Sequence, residues 1–127
     1  MSSPGRLVGA RVLVVDDDAD IRAAMGLALR AEGAVTDEVA DGSVAMHHLQ
    51  SVPPDAVVLD LMLPGQSGFT VLERCRTSAP KAPVVMVTAN RGTRHAELAR
   101  SLGAAAYLVK PVPLATLVDA VAKAVGR

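Results

Sequence analysis

Aromatic side chains are nearly absent from this 127-residue sequence: Phe69 and Tyr107 stand alone, and there is no tryptophan. Base-stacking surfaces and aromatic-lined ligand cavities are therefore disfavoured, and the apolar content falls to Ala, Val and Leu, which suit close-packed α/β layers. Cysteine occurs once, at Cys75. A single thiol excludes an internal disulfide and a cysteine metal cluster, and its scarcity fits a reducing compartment. Neither sign of charge is in excess, with 13 Lys plus Arg against 13 Asp plus Glu. Nucleic-acid binding driven by bulk charge is thereby disfavoured. No apolar run approaches the roughly 18 residues of a membrane span, and the opening MSSPGRLVG lacks the apolar stretch of a signal peptide. A soluble, cytoplasmic protein without membrane attachment is expected. What is present is apolar mass: 50% hydrophobic and 20% charged residues exclude a disordered chain, and this length builds one core.

The largest-scale pattern is an alternation of short apolar runs with segments of helical spacing, five times over, which predicts an α/β fold with a parallel sheet. The runs are 11–15 (RVLVV), 34–39 (AVTDEV), 56–59 (AVVL), 84–87 (VVMV) and 105–109 (AAYLV). Four are nearly continuous in apolar residues, as in strands covered on both faces. The second carries Thr36, Asp37 and Glu38, which would be costly in a central strand, and is expected at a sheet edge. Between the runs, Ile21, Ala24, Met25, Ala28 and Leu29 recur at helical spacing, as do Leu114, Leu117, Val118, Val121 and Val125. Gly33 and Gly103 are expected as helix C-terminal caps, and Pro53 with Pro54 ends the second helix.

Ligands of an open parallel sheet gather outside the carboxyl ends of its strands. The first run there delivers Asp16, Asp17 and Asp18, with Asp20 beyond; the third delivers Asp60, the fourth Thr88 and the fifth Lys110 with Pro111. Asp18 and Asp20 are assigned to capping the first helix. That leaves Asp16 and Asp17, adjacent carboxylates off a buried strand, which repel unless a cation sits between them. A hard divalent ion such as Mg²⁺ fits these oxygen ligands. Singly, Asp60 is an ordinary loop acid, Thr88 a helix cap and Lys110 a solvated charge. Together they form the set needed for phosphoryl transfer to a carboxylate: a nucleophile, a metal site, a point charge and a hydroxyl donor.

The segments VLVVDDD, LDLMLPGQSG, VMVTAN and AAYLVKPV, in this order and spacing, resemble the receiver domain of two-component response regulators, over about residues 11–125. The resemblance implies a flavodoxin-like, doubly wound five-stranded sheet in the order 2-1-3-4-5 with helices on both faces, a receiver domain over 10–127, and an N-terminal tail over 1–9. It further implies Asp60 as phosphoacceptor, Asp17 as a direct Mg²⁺ ligand, Asp16 as a direct or water-mediated one, and the backbone carbonyl of Met62 as the third protein ligand. Thr88 would bind the phosphoryl group and swing inward, Lys110 would pair with that group ahead of a cis peptide to Pro111, and Tyr107 would rotate as Thr88 moves. Tyr107 also reads simply as a strand residue half-buried under the fourth helix. Two departures stand out: Val112 where the family commonly has Phe, and Ser67 where an acid is commoner. Met62 and Asn90 occupy positions that tune phosphoryl lifetime in the family.

The function so implied is a switch that takes a phosphoryl group from a sensor histidine kinase or a histidine phosphotransfer protein and controls a downstream effector, with phosphorylation-dependent homodimerisation as one output. Its chemistry would be limited to its own phosphorylation and dephosphorylation, short of enzymatic turnover. A phosphohydrolase of the haloacid-dehalogenase kind needs a second Asp two residues after the first, where this chain has Met62. A flavodoxin-like cofactor binder needs a hydroxyl- and glycine-rich phosphate loop where four acids stand in five residues. Arg91, Arg94 and Arg100 are expected on the fourth helix, either as a basic docking face or as a solvated one. His47 and His48 are expected as surface residues without a carboxylate partner, and Cys75 as an inert core or boundary residue.

Overall fold

A computed structural model describes residues 5–78 and 81–127. Five strands alternate with five helices: β1 (Arg11–Val15), α1 (Ala19–Ala31), β2 (Val35–Val39), α2 (Gly42–Ser51), β3 (Ala56–Leu59), α3 (Gly68–Thr77), β4 (Val84–Thr88), α4 (Thr93–Ser101), β5 (Ala106–Val109) and α5 (Leu114–Ala124). All strand pairings are parallel, in the order β2-β1-β3-β4-β5. The expected flavodoxin-like order is thus present, with the polar second strand at an edge.

Successive side chains of a strand point to opposite faces, and the two cores follow that period of two. Val12, Val14, Ala56, Val58, Val85 and Val87 pack on one face under Met25 and Leu29 of α1 and Leu117, Val121 and Ala122 of α5. Their neighbours Leu13, Val15, Val57, Leu59, Val84 and Met86 pack on the other under Ala45 and Leu49 of α2, Val71, Leu72 and Cys75 of α3, and Ala99 of α4. Truncating a buried leucine such as Leu59 or Leu72 to alanine in such layers costs about 2–5 kcal/mol. Cys75 is fully buried, and burial pushes its thiol pKa up to about 12, so it carries no thiolate at neutral pH. The tail assignment covers residues 1–4, outside the described residues, and also Leu7, which is fully buried in the α1/α5 layer.

Helix boundaries follow local chemistry, with some corrections. Asp18, Asp41 and Ser67 cap α1, α2 and α3 with side-chain oxygens, while α4 and α5 start without a side-chain cap. Gly33 and Gly103 follow α1 and α4 with φ of 93° and 92°, as C-terminal caps require. Arg91 is not on the fourth helix, because the Asn90 side chain accepts the Gly92 N–H at 2.8 Å and α4 starts only at Thr93. β5 is half-buried along its length, being the second edge of the sheet. Leu114 is exposed at the first turn of α5 although it shares that helix's apolar stripe.

The polar residues of β2 are accommodated by pairing on both faces. Thr36 and Glu38 point towards α1, where Arg30 donates to both at 2.7 and 2.8 Å. Asp37 is level with Leu13 and so faces α2. Its Oδ2 accepts from Arg11 at 2.8 Å and lies 3.3 Å from Nε2 of His48, an ion-pair contact without hydrogen-bond alignment. His48 therefore does have a carboxylate partner; only His47 of the pair is an exposed side chain. Burial alone would raise the Asp37 pKa, but Arg11 and His48 outweigh it and hold the carboxyl below its ordinary value. A depressed folded-state pKa contributes stability that is present above the unfolded value, about 3.9, and is lost as pH falls through the folded one. Asp37→Asn is accordingly expected to lower the calorimetric Tm clearly at pH 7 and much less at pH 3; an equal deficit at both would rule out this linkage.

Candidate functional site

The carboxyl ends of β1, β3, β4 and β5 bring the expected residues to one edge of the sheet. Asp16 follows β1 and is fully buried; Asp60 follows β3 and is 6% exposed. Two carboxylates this deep need compensating charge. Lys110 supplies it from the end of β5, its ammonium donating to Asp16 Oδ2 at 2.7 Å and to Asp60 Oδ2 at 3.1 Å. The other oxygens are held by the main chain: Asp16 Oδ1 accepts from Asp18 N at 2.9 Å, and Asp60 Oδ1 from Met62 N at 3.2 Å. Burial alone would lower the Lys110 pKa, but its bonds to Asp16 and Asp60 outweigh that and raise it, so the side chain stays cationic. The Lys110–Pro111 peptide bond is cis.

Asp17 is exposed beside this pair, and one carboxylate oxygen from each of Asp16, Asp17 and Asp60 lies within 4.8 Å of the others. Three hard oxygen donors at that spacing, two of them inside the protein, fit a divalent cation of the Mg²⁺ type. Asp18 and Asp20 stand apart from this set: Asp18 caps α1 through bonds from Asp20 N and Ile21 N, both at 3.0 Å.

Thr88 is fully buried as the last residue of β4, and its main-chain carbonyl accepts from Lys110 N at 2.8 Å. Its hydroxyl makes no hydrogen bond to Asp60; it accepts from Asn90 N at 3.3 Å. Tyr107 is half-buried against the α2/α3/α4 layer and donates its hydroxyl to the Asn90 carbonyl at 2.9 Å. Burial raises the Tyr107 pKa, and the charge of Asp60 adds to the rise. Asn90 therefore joins Thr88, Tyr107 and the start of α4, using its N–H, its carbonyl and its side chain in turn. That junction was not readable from the sequence because two of the three groups are main-chain. A second unanticipated contact is Arg22 of α1, which donates to the Asp16 carbonyl at 2.8 Å.

Lys110 is thus more than a solvated charge, since among the described residues it alone forms ion pairs with the buried Asp16 and Asp60. Lys110→Ala is expected to lower the unfolding free energy by about 3 kcal/mol in chelator, and to regain part of that loss in millimolar Mg²⁺. Urea unfolding under both conditions checks this, and identical losses would show that ammonium and cation do not compensate the same charge.

Similarity to known proteins agrees with this geometry. The family model described as response regulator receiver domain matches residues 12–122. The chain is 42% identical over 110 residues to the transcriptional regulatory protein TcrA of Mycobacterium tuberculosis, covering 87% of this chain and 44% of TcrA. It is 41% identical over 101 residues to the DNA-binding response regulator MtrA of the same species, covering 80% and 44%. It therefore spans less than half the length of these curated relatives. Among solved structures, the chemotaxis response regulator CheY4 of Vibrio cholerae superposes with a TM-score of 0.83 at 27% identity, covering 91% of this chain and 98% of that one. The BeF3-activated receiver domain of Klebsiella pneumoniae RstA gives 0.84 at 25%, covering 92% and 99%. No support for a haloacid-dehalogenase phosphohydrolase accompanies these matches, and the residue two after Asp60 is the exposed Met62. With its strand order, its acidic edge and these relatives, the chain belongs to the response regulator receiver domain family.

Proposed function

We propose that Asp60 is the phosphoacceptor of a signalling switch charged by a sensor histidine kinase or a histidine phosphotransfer protein. The observation that carries this reading is the shared ammonium. Lys110 ties the nearly buried Asp60 to Asp16 at the end of a central strand, beside a third carboxylate from Asp17. In the reaction a carboxylate oxygen of Asp60 forms a bond to phosphorus as the donor's P–N bond breaks, and the leaving imidazole retains that electron pair and takes a proton. Asp16, Asp17, Asp60 and the Met62 carbonyl would hold Mg²⁺, which when bound neutralises phosphoryl oxygens. Lys110 is already within 3.1 Å of Asp60 Oδ2 and moves its charge from carboxylate to phosphoryl oxygen. The Thr88 hydroxyl donates to a second phosphoryl oxygen.

Turning Thr88 inward removes the acceptor of the Asn90 N–H, and Asn90 is also the acceptor for Tyr107 and the anchor of α4. Phosphorylation so biases a two-state equilibrium of the region from β4 to α5, and a partner that prefers one state reads it. Phosphorylation and hydrolysis at Asp60 are catalysed by the domain itself, and the output is an effector or a phosphorylation-dependent homodimer. TcrA and MtrA are named as transcriptional and DNA-binding regulators. With a net charge of zero, this chain acts on a partner or output domain and not on nucleic acid directly.

Incubation with acetyl phosphate is expected to add one phosphoryl group, by intact mass, with Mg²⁺ present and none in chelator. Asp60→Asn should abolish the addition; uptake that persists in this variant would overturn the assignment of the acceptor.

A further inference from the structure

The first turn of α2 lies unusually close to the loop that follows Asp60. At Gly42, the first residue of α2, a Cβ would sit 1.9 Å from the Gln66 carbonyl oxygen and 2.7 Å from its carbon, both main-chain atoms that cannot swing aside. The Gly42 φ is not positive, so the backbone conformation itself does not call for glycine. Alanine would favour the helix by about 1 kcal/mol; space alone excludes it. The same residue donates its N–H to the Pro64 carbonyl at 2.9 Å. Across the seam, Gly65 has φ of 77°, and a Cβ there would meet Asp41 Oδ1 at 2.6 Å and Ser43 Oγ at 2.7 Å. At its far end the loop is closed by Gly68 N, which donates to the Leu61 carbonyl at 3.0 Å.

Between those clamps lies the main chain of Met62, whose N–H holds Asp60 Oδ1. We propose that Gly42, with Gly65 across the seam, is a positioning residue for divalent-cation binding: its missing side chain lets α2 press on 64–66 and so fixes the Met62 main chain and the Asp60 carboxylate. This inference rests on the reading of Asp60 and Met62 as cation ligands. Neither glycine touches the cation; both act through the loop, as outer-shell groups do, and such groups are worth about tenfold to a hundredfold in metal affinity.

Calorimetric titration of the full chain with MgCl2 tests it. Gly42→Ala is expected to weaken the Mg²⁺ Kd about tenfold or more. Gly26→Ala serves as a control, because Gly26 of α1 is also crowded, with a Cβ 2.3 Å from Glu38 Oε2, but lies away from the loop. The Glu38 side chain can shift to make room, and the variant should fold and keep the wild-type Kd. An unchanged Kd in folded Gly42→Ala, or an equal weakening in Gly26→Ala, would overturn the proposal. Should Gly42→Ala not fold, Gly65→Ala decides: its obstructing atoms are side-chain ends, so the helix can stay folded, while alanine at φ of 77° puts its strain on the loop itself; a wild-type Kd there overturns the proposal equally. Asp17→Asn separates the two readings. Binding that survives this variant undiminished removes the cation site and the proposal with it, whereas Asp17-dependent binding with an unaltered Gly42→Ala removes only the proposal.

Discussion

An ammonium between two buried carboxylates is the constraint on which the rest of this molecule depends. Asp16 and Asp60 are brought together by adjacent parallel strands whose register pairs Val15 with Leu59, so the backbone gives these two residues no freedom to move apart. Lys110 reaches them from β5, two strands beyond β3, and satisfies one oxygen of each. The fold must therefore deliver three strand ends to one place before the charges balance. A cation or a phosphoryl group arriving there enters an arrangement that already has fixed donors and acceptors, which is the condition for electrostatic preorganisation.

A run of hydrogen bonds, each with a main-chain partner, leads away from that centre. Lys110 N bonds the Thr88 carbonyl, Asn90 N bonds the Thr88 hydroxyl, and the Asn90 carbonyl holds Tyr107. Each step is one hydrogen bond long, so Thr88 and Tyr107 are joined through a single intervening residue, Asn90. The element at the end of this chain is also the least anchored. α4 buries Ala99 alone and has no side-chain cap, in contrast to the buried stripes of α1 and α3.

Much of the fold was legible because apolar content marks strands in a sheet covered on both faces: the runs 11–15 and 56–59 coincide with β1 and β3. Asp37 and Glu38 located an edge for the same reason, since charge is tolerated only where partners or water can reach it. The residues of the site were legible as strand-terminal polar groups. What escaped depends on the rotation of one element against another. The meeting of His48 with Asp37 needs the angle of α2 over β2, and the burial of Leu7 needs the path of the chain before β1. Arg91 was misplaced because a helix start made by Asn90 and Gly92 lacks the usual hydroxyl or carboxylate cap of its own. The seam at Gly42 is hardest of all to read, being defined by an absent side chain.

The paired charges of β2 bear on how copies of the protein behave towards each other. An open strand edge offers unpaired N–H and carbonyl groups on which another chain can template. Were two copies to join edge to edge through β2, Asp37 and Glu38 of one would come against the same acids of the other, and like charges facing across strands repel. Arg11 and Arg30 lie beside those acids within their own chain and offset part of that repulsion; the rest is joined by the cost of stripping water from a row of charged groups. The charges carried by an acidic edge strand thus also guard a concentrated solution of the protein against pairing through that edge.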